Sequence, residues 1–525
     1  MTAFNAWIDP WVPVQRGEEQ ILLSLRDLFL TAHNLTGLGA DLTPLERESV
    51  YRLLISLGAI VGRFTPEDGS WTPEQGFPAS AVSEFEGNFL ARFELFGDHP
   101  FLQRWDQPQN SLTVLTEAAG SKPLKGLLAV EQLHPHEPGG SSSKWAVRRD
   151  TRDAATLSTA TLLLVVAWFQ TKNGNGQDPW GGKALKGSAG TWHTNPMSLW
   201  QVDPANLAKT LWANTPEVWL DQEDLPVFLE HDFPASAFTV NQKDSVARFT
   251  YAVTLPLLQL HDGALKGFVI GADQTITVPQ LGRDAKESLG VIHEHDHTRL
   301  YVEKKTAKGV VTALIPRGSF EARLATTEGF AQWFRSDRGI SEALGPWRSV
   351  PRVLTIPDSE RHLWNLEVLS ERTDGKGSRE FAAWDSLPAA FAGAEGAALE
   401  LIRALLDFAG KCRWAFLPAG RTATGESKSS PAIITGQAAF YSAIEPVIAA
   451  LRSDLTDDTL RPSREYAQRV SDIAVIVFAA TTEPLMTPRQ IAAVAQARTE
   501  FRALVRSSFN KAYPAPLPAT SKESA

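Results

Sequence analysis

Ala397-Ala398-Leu399-Glu400-Leu401-Ile402-Arg403-Ala404-Leu405-Leu406-Asp407-Phe408-Ala409-Gly410 is the stretch on which the architecture turns. Leu399, Ile402, Leu406 and Ala409 recur at spacings of three and four, which puts them on one helical face. The same period returns at Phe440, Ile444, Val447 and Leu451, then at Tyr466, Val470, Ile473 and Val477, and finally at Val494, Phe501 and Val505. Four such segments with modest connections predict an antiparallel four-helix bundle. Thr487-Pro488-Arg489-Gln490 reads as a capping box that opens the fourth helix. Pro446 should kink the second or start a new segment, because proline lacks the amide hydrogen and crowds the preceding turn. Residues 420–430 read as a polar linker, and the sequence past Tyr513 has the composition of disorder.

Upstream of that stretch the pattern is mixed. Trp11-Val12-Pro13-Val14 and Ile21-Leu22-Leu23 flank Arg16-Gly17-Glu18, which predicts a β-hairpin. Thr43-Pro44-Leu45-Glu46 is a capping box with proline at the first helical position, so a helix should run to about Val61. Residues 154–169 read as an apolar helix that meets Lys172-Asn173-Gly174-Asn175-Gly176. From Val246 to about Ala325, short apolar runs between Gly, Asp and Lys look like strands. The fold class is therefore α+β: a large mixed α/β N-terminal domain over 1–390, a C-terminal antiparallel four-helix bundle over 391–513, and a disordered tail over 514–525.

Composition limits the function. The 525 residues carry 51 Lys+Arg against 60 Asp+Glu, a net charge of −9, and 43% are hydrophobic. Such a chain can bury a core, and it has no overall basic field of the kind that marks a free-standing nucleic-acid binder. The single cysteine, Cys412, excludes an internal disulfide and any multi-cysteine metal site, and its helical setting suits a packed thiol. The N-terminus shows no signal-peptide pattern and the longest apolar run is too short to span a bilayer, so a cytoplasmic protein is expected.

No motif nominates a catalytic centre. G-x-S-x-G and the phosphate-binding GxxxxGK[ST] are absent. His293, His295 and His297 alternate, so on a strand they would share a face and could hold a transition metal for a hydrolase or nuclease; the same pattern suits a solvated polar edge. Local charge is more coherent. Residues 142–190 hold seven basic side chains (Lys144, Arg148, Arg149, Arg152, Lys172, Lys183, Lys186) against three acids, a net of +4, together with Gly174, Gly176, Gly181, Gly182, Gly187 and Gly190. Residues 298–350 are also +4. Glycines let a backbone approach a ligand closely and offer amides to phosphates or base edges, although a flexible loop with a solvated charged face reads the same way. Among the sixteen tryptophans, Trp168 belongs in a core, while Trp180 and Trp192 lie beside the glycines.

These positions resemble the large subunit of the type I-E CRISPR Cascade complex, the CasA family. The resemblance rests on Trp7-Ile8-Asp9-Pro10-Trp11-Val12-Pro13-Val14, on His99-Pro100-Phe101-Leu102-Gln103, and on the order of a polar loop, an apolar helix, a Gly-rich segment and a terminal bundle. It implies a non-catalytic subunit that inspects the protospacer-adjacent motif in double-stranded DNA, helps open the strands into an R-loop and helps recruit a helicase–nuclease. A guide RNA does the sequence reading. Minor-groove inspection, where the base-pair code is degenerate, tolerates several motifs. Carried over by position, the motif-reading residues are Asn173, Gly174, Asn175, Gly176, Trp180, Gly181, Gly182 and Lys183, with Arg283 or Lys286 as the minor-groove basic residue. The strand-separating wedge falls on Asp374, Gly375, Lys376, Gly377 and Ser378; the family's usual glutamine is missing there, and either Lys376 substitutes for it or the wedge tip is a different residue. Lys144, Arg148 and Arg149 fall in the loop that approaches the guide and the opened DNA. The bundle would face the complex's small subunits and the displaced strand, with Arg461, Arg464, Arg498, Arg502 and Arg506 as strand contacts. The implied partners are the other Cascade subunits, the CRISPR guide RNA, the duplex and the helicase–nuclease. Some relatives carry a cysteine-rich zinc segment; without those cysteines no structural zinc or other cofactor is expected.

Overall fold

The computed structural model describes residues 4–65, 74–103, 130–133, 156–170, 176–177, 184–185, 197–229, 246–250, 254–261, 264–272, 298, 301–305, 311–316, 364–373, 379–388, 396–425, 430–456 and 463–514. The described residues are largely helical, with several small sheets. They divide into two compact units, one ending at Asp385 and the other starting at Ser386.

In the first unit the expected hairpin forms. Strands β1 (Val12–Arg16) and β2 (Glu19–Leu23) are antiparallel, with Val14 opposite Ile21 and Arg16 opposite Glu19. Gly17 turns the chain at φ +60°, a conformation that costs a side-chain-bearing residue. A two-residue strand that the sequence does not signal, β3 (Gly37–Leu38), adds to the other edge of β1. Between them lies helix α1 (Leu25–Thr31), whose N-cap Ser24 accepts the Asp27 amide. Trp7 is fully buried against Phe29, Phe85 and Phe93 at 5.9, 4.7 and 5.3 Å, and its indole N–H donates to Glu86. Trp11 is as deeply buried and donates to the carbonyl of Ala6. The Trp-rich opening is thus a core plug.

Helix α2 (Pro44–Arg63) carries the expected capping box: Thr43 accepts from the Glu46 amide, and the Glu46 carboxylate accepts from the Thr43 amide. Almost every residue from Leu45 to Val61 is buried, so α2 is a central helix, covered on all faces. It is covered by α3 (Ala79–Phe89), by α4 (Leu157–Phe169) and by α5 (Leu207–Asn214). α4 is the expected apolar helix, capped by Thr156, with Trp168 buried at 1% exposure. In the His99–Gln103 stretch, Leu102 takes φ +54°, and Gln103 donates to the Leu95 carbonyl while accepting the Leu258 amide.

The strand-like region between 246 and 325 starts with a single helical turn, α6 (Val246–Phe249). Antiparallel pairs then follow. Strands β4 (Gly176–Gln177) and β5 (Ala184–Leu185) form one such pair upstream. β6 (Met197–Val202) belongs to a larger sheet, described below. β7 (Thr254–His261) pairs with β8 (Ala264–Ala272), and β9 (Tyr301–Lys305) with β10 (Val311–Pro316). β11 (Asn365–Thr373) lies between β6 and β12 (Arg379–Pro388).

The second unit contains four long helices: α7 (Gly396–Thr424), α8 (Pro431–Thr456), α9 (Ser463–Thr482) and α10 (Ile491–Ala512). Phe416 of α7 touches one ring from each of the others: Phe440 at 5.9 Å, Phe478 at 5.3 Å and Phe501 at 4.9 Å. Phe478 and Phe501 stack at 4.1 Å. Several expectations are corrected here. On α9 the buried face runs through Tyr466, Val470, Ala474 and Phe478, leaving Ile473 and Val477 half-buried beside it. Pro446 lies inside one continuous helix and starts no new segment. Residues 420–424 belong to α7, because Gly420 packs against the buried Ile433 and the Thr424 hydroxyl donates to the Gly420 carbonyl; the helix stops at Gly425, at φ +69°. At Thr487 no capping box forms. Its carbonyl accepts the amides of Gln490 and Ile491, closing a turn that feeds α10 at Ile491. Cys412 is fully buried, and burial pushes its thiol well above the usual range. Residues 515–525, where the disordered tail is expected, lie outside the described residues.

Candidate nucleic-acid interface

Most residues nominated by the sequence fall outside the described residues: Asn173, Gly174, Asn175, Trp180, Gly181, Gly182 and Lys183, Arg283 and Lys286, Lys144, Arg148 and Arg149, residues 374–378, and the histidines 293, 295 and 297. What the structure describes is the scaffold on which they are strung. Gly176 pairs with Leu185 and Gln177 with Ala184, so residues 178–183 connect two antiparallel strands. Residues 374–378 connect β11 and β12, which are hydrogen-bonded neighbours. β11 also pairs with β6, with Ser198 opposite Leu369 and Val202 opposite Asn365. The strand that begins after the Gly-rich segment is therefore laddered to the strand that leads into the wedge candidate.

Sequence reasoning missed the polar cluster beneath this scaffold. Glu48 and Arg52 sit one turn apart on α2, at 0% and 1% exposure, with Arg52 Nε 3.1 Å from Glu48 Oε1. Ser198 Oγ donates to the same oxygen at 2.5 Å, and Gln170 Nε2 donates to Oε2 at 2.7 Å. Arg52 Nη2 donates to Thr298 Oγ1 at 2.8 Å, and the guanidinium lies 4.8 Å from the Phe249 ring and 5.9 Å from Trp200. Trp200 stacks on Tyr51 at 5.4 Å. Burial, joined by the nearby Glu367 carboxylate, pushes the Tyr51 phenol upward and keeps it neutral. An acid and a base four residues apart read from sequence as a solvated helix face. The available signal is that α2 has apolar residues on every side and no face left for solvent.

The arginines of the second unit separate into two groups. Arg464 donates to the Tyr513 carbonyl at 3.0 Å and lies 5.2 Å from the Phe509 ring. Arg498 bonds the Thr482 hydroxyl, the Ala479 carbonyl and the Glu483 carboxylate. Both hold helices together. Arg502 and Arg506 are exposed on α10, and Arg461 lies outside the described residues. Among the described residues, no group of three or more His, Cys, Asp or Glu is placed to hold a metal ion, and no helix is long and apolar enough to cross a membrane.

With this geometry in view, the comparisons with known proteins are consistent with one another. The family model for CRISPR-associated protein Cse1 matches residues 5–252, which takes in both tryptophan plugs, α2, α4 and β6. The CasA/Cse1 protein of Thermus thermophilus is 32% identical over 112 residues; the aligned stretch spans 21% of this chain and 22% of that relative. In fold, the Cse1 protein of Acidimicrobium ferrooxidans superposes with a TM-score of 0.67 at 17% identity, covering 98% of this chain and 100% of its own. A chain of a CRISPR RNA-guided surveillance complex gives 0.62 at 16% identity, covering 95% of this chain and 99% of that one. Residues 5–252 thus resemble the CRISPR-associated Cse1 family, and the fold of solved Cse1 structures is shared over nearly the whole chain.

Proposed function

We propose that this protein is the non-catalytic large subunit of an RNA-guided CRISPR surveillance complex, reading a protospacer-adjacent motif in duplex DNA and promoting strand opening. The mixed N-terminal domain, residues 1–390, does the reading. Residues 173–176 and 180–183 approach the groove, joined by Arg283 or Lys286. Residues 374–378 form the wedge that offsets part of the unstacking cost. Lys144, Arg148 and Arg149 lie along the guide and the opened DNA. Residues 391–513 form an antiparallel four-helix bundle that faces the small subunits and the displaced strand. The exposed Trp414 and Ile476, at 64% and 67%, support a partner-facing surface there. The partners are the other subunits, the guide RNA, the target duplex and the helicase–nuclease. The protein works in the cytoplasm and needs no cofactor.

The observation that carries this reading is that connections 178–183 and 374–378 both leave strands of the first unit, with β6 linking the end of the Gly-rich segment to the sheet bearing the second connection. A reader and a wedge need such a common scaffold, since one must hold the duplex while the other opens it. Replacing Gly181 and Gly182 by leucine tests the assignment. The expected result is loss of motif-dependent duplex binding with complex assembly intact, because a side chain blocks close backbone approach. Unchanged motif-dependent binding contradicts it.

A further inference from the structure

Glu48 is a fully buried carboxylate in the second turn of α2, and both of its oxygens serve residues distant in sequence. Oε2 accepts from Gln170, the residue that ends α4, and Oε1 accepts from Ser198, the second residue of β6. Arg52 holds Glu48 and reaches Thr298, which follows directly on His297. The chain thus leaves for the Gly-rich segment and returns from it at one carboxylate. Ser198 also sits opposite Leu369 on β11, the strand that runs toward 374–378.

A buried ion pair is a poor source of stability, because desolvation offsets much of its attraction and apolar side chains fill the same volume as well. Its hydrogen bonds are directional, however, and each one lost leaves a desolvated polar group behind. We propose that Glu48, held by Arg52, is a positioning residue for the motif-reading segment: by tying Gln170 at the end of α4 and Ser198 near the start of β6 to α2, it fixes the two points between which that segment is strung, and so sets how the segment meets duplex DNA. The proposal rests on the reading that this segment touches the DNA.

The test uses the full chain in the reconstituted surveillance complex, with Ser198→Ala, Ser198→Thr and Gln170→Leu. Affinity is measured for a duplex bearing the preferred flanking motif, for the same duplex with that motif scrambled, and for a target already opened along the guide-complementary stretch. Ser198→Ala and Gln170→Leu are expected to cut the preference for the intact motif about tenfold. They leave the opened target's affinity unchanged, and Ser198→Thr restores the preference. Unchanged preference in both variants overturns the proposal. Equal loss on all three targets, with a lower melting temperature, also overturns it, since that is the mark of a purely structural contact. If the unsubstituted complex shows no motif preference, the functional reading falls first, and the wild-type arm reports that separately.

Discussion

At the residue scale, Arg52 is among the most deeply buried charged side chains described. It is 1% exposed, pairs with a carboxylate that is fully buried, and lies against two aromatic rings. Removing one partner of such a pair strands the other charge, which costs about 3–5 kcal/mol. Arg52→Met should therefore lower unfolding stability by that amount in denaturant titration. The double change Glu48→Gln with Arg52→Met should recover a substantial part, because no unpaired charge remains. If the double variant is as unstable as the sum of the singles, the pair does not act as a unit. These two residues were illegible in the sequence because burial was the missing variable: Glu-x-x-x-Arg is also the commonest kind of exposed helical pair. The tryptophans were partly legible. Trp168 was readable from its apolar neighbours, whereas Trp7 is a plug whose packing against Phe29, Phe85 and Phe93 depends on residues far along the chain.

At the scale of elements, local chemistry was the part most readily legible. Gly17 sets the first hairpin and Thr43 with Glu46 starts α2, each because the deciding contacts lie within a few residues. Thr43→Ala should cost about 1 kcal/mol, seen as a lower denaturation midpoint with an unchanged slope. No change would mean that packing alone holds the helix start. The apparent capping box at Thr487 failed for an equally local reason: its carbonyl closes a turn on Gln490 and Ile491, so the helix starts one turn later. The extent of α7 was hidden because Gly420 reads as a breaker until Ile433 is seen packed against it. Among the arginines, sequence could not tell Arg464 and Arg498, spent on helix contacts, from the exposed Arg502 and Arg506. Charge reversal at Arg502 and Arg506 should weaken displaced-strand binding by the assembled complex and flatten its salt dependence. An unaltered salt slope would place the strand elsewhere.

At the scale of the whole molecule, a net charge of −9 spread over 525 residues argues against indiscriminate adhesion to DNA. It is compatible with a subunit that reads a few base pairs and borrows most of its electrostatic field from RNA-bearing partners. The order of short motifs made the resemblance legible, while the residues proposed to read the motif are largely glycines, which leave little side-chain signature. The most direct measurement is binding of the reconstituted complex to a set of duplexes that share one guide-matched target and differ only in the flanking motif. The account predicts affinities that spread over several orders of magnitude with motif identity and collapse to one low value in the Gly181→Leu, Gly182→Leu variant. Equal affinity for every motif in the unsubstituted complex would contradict it.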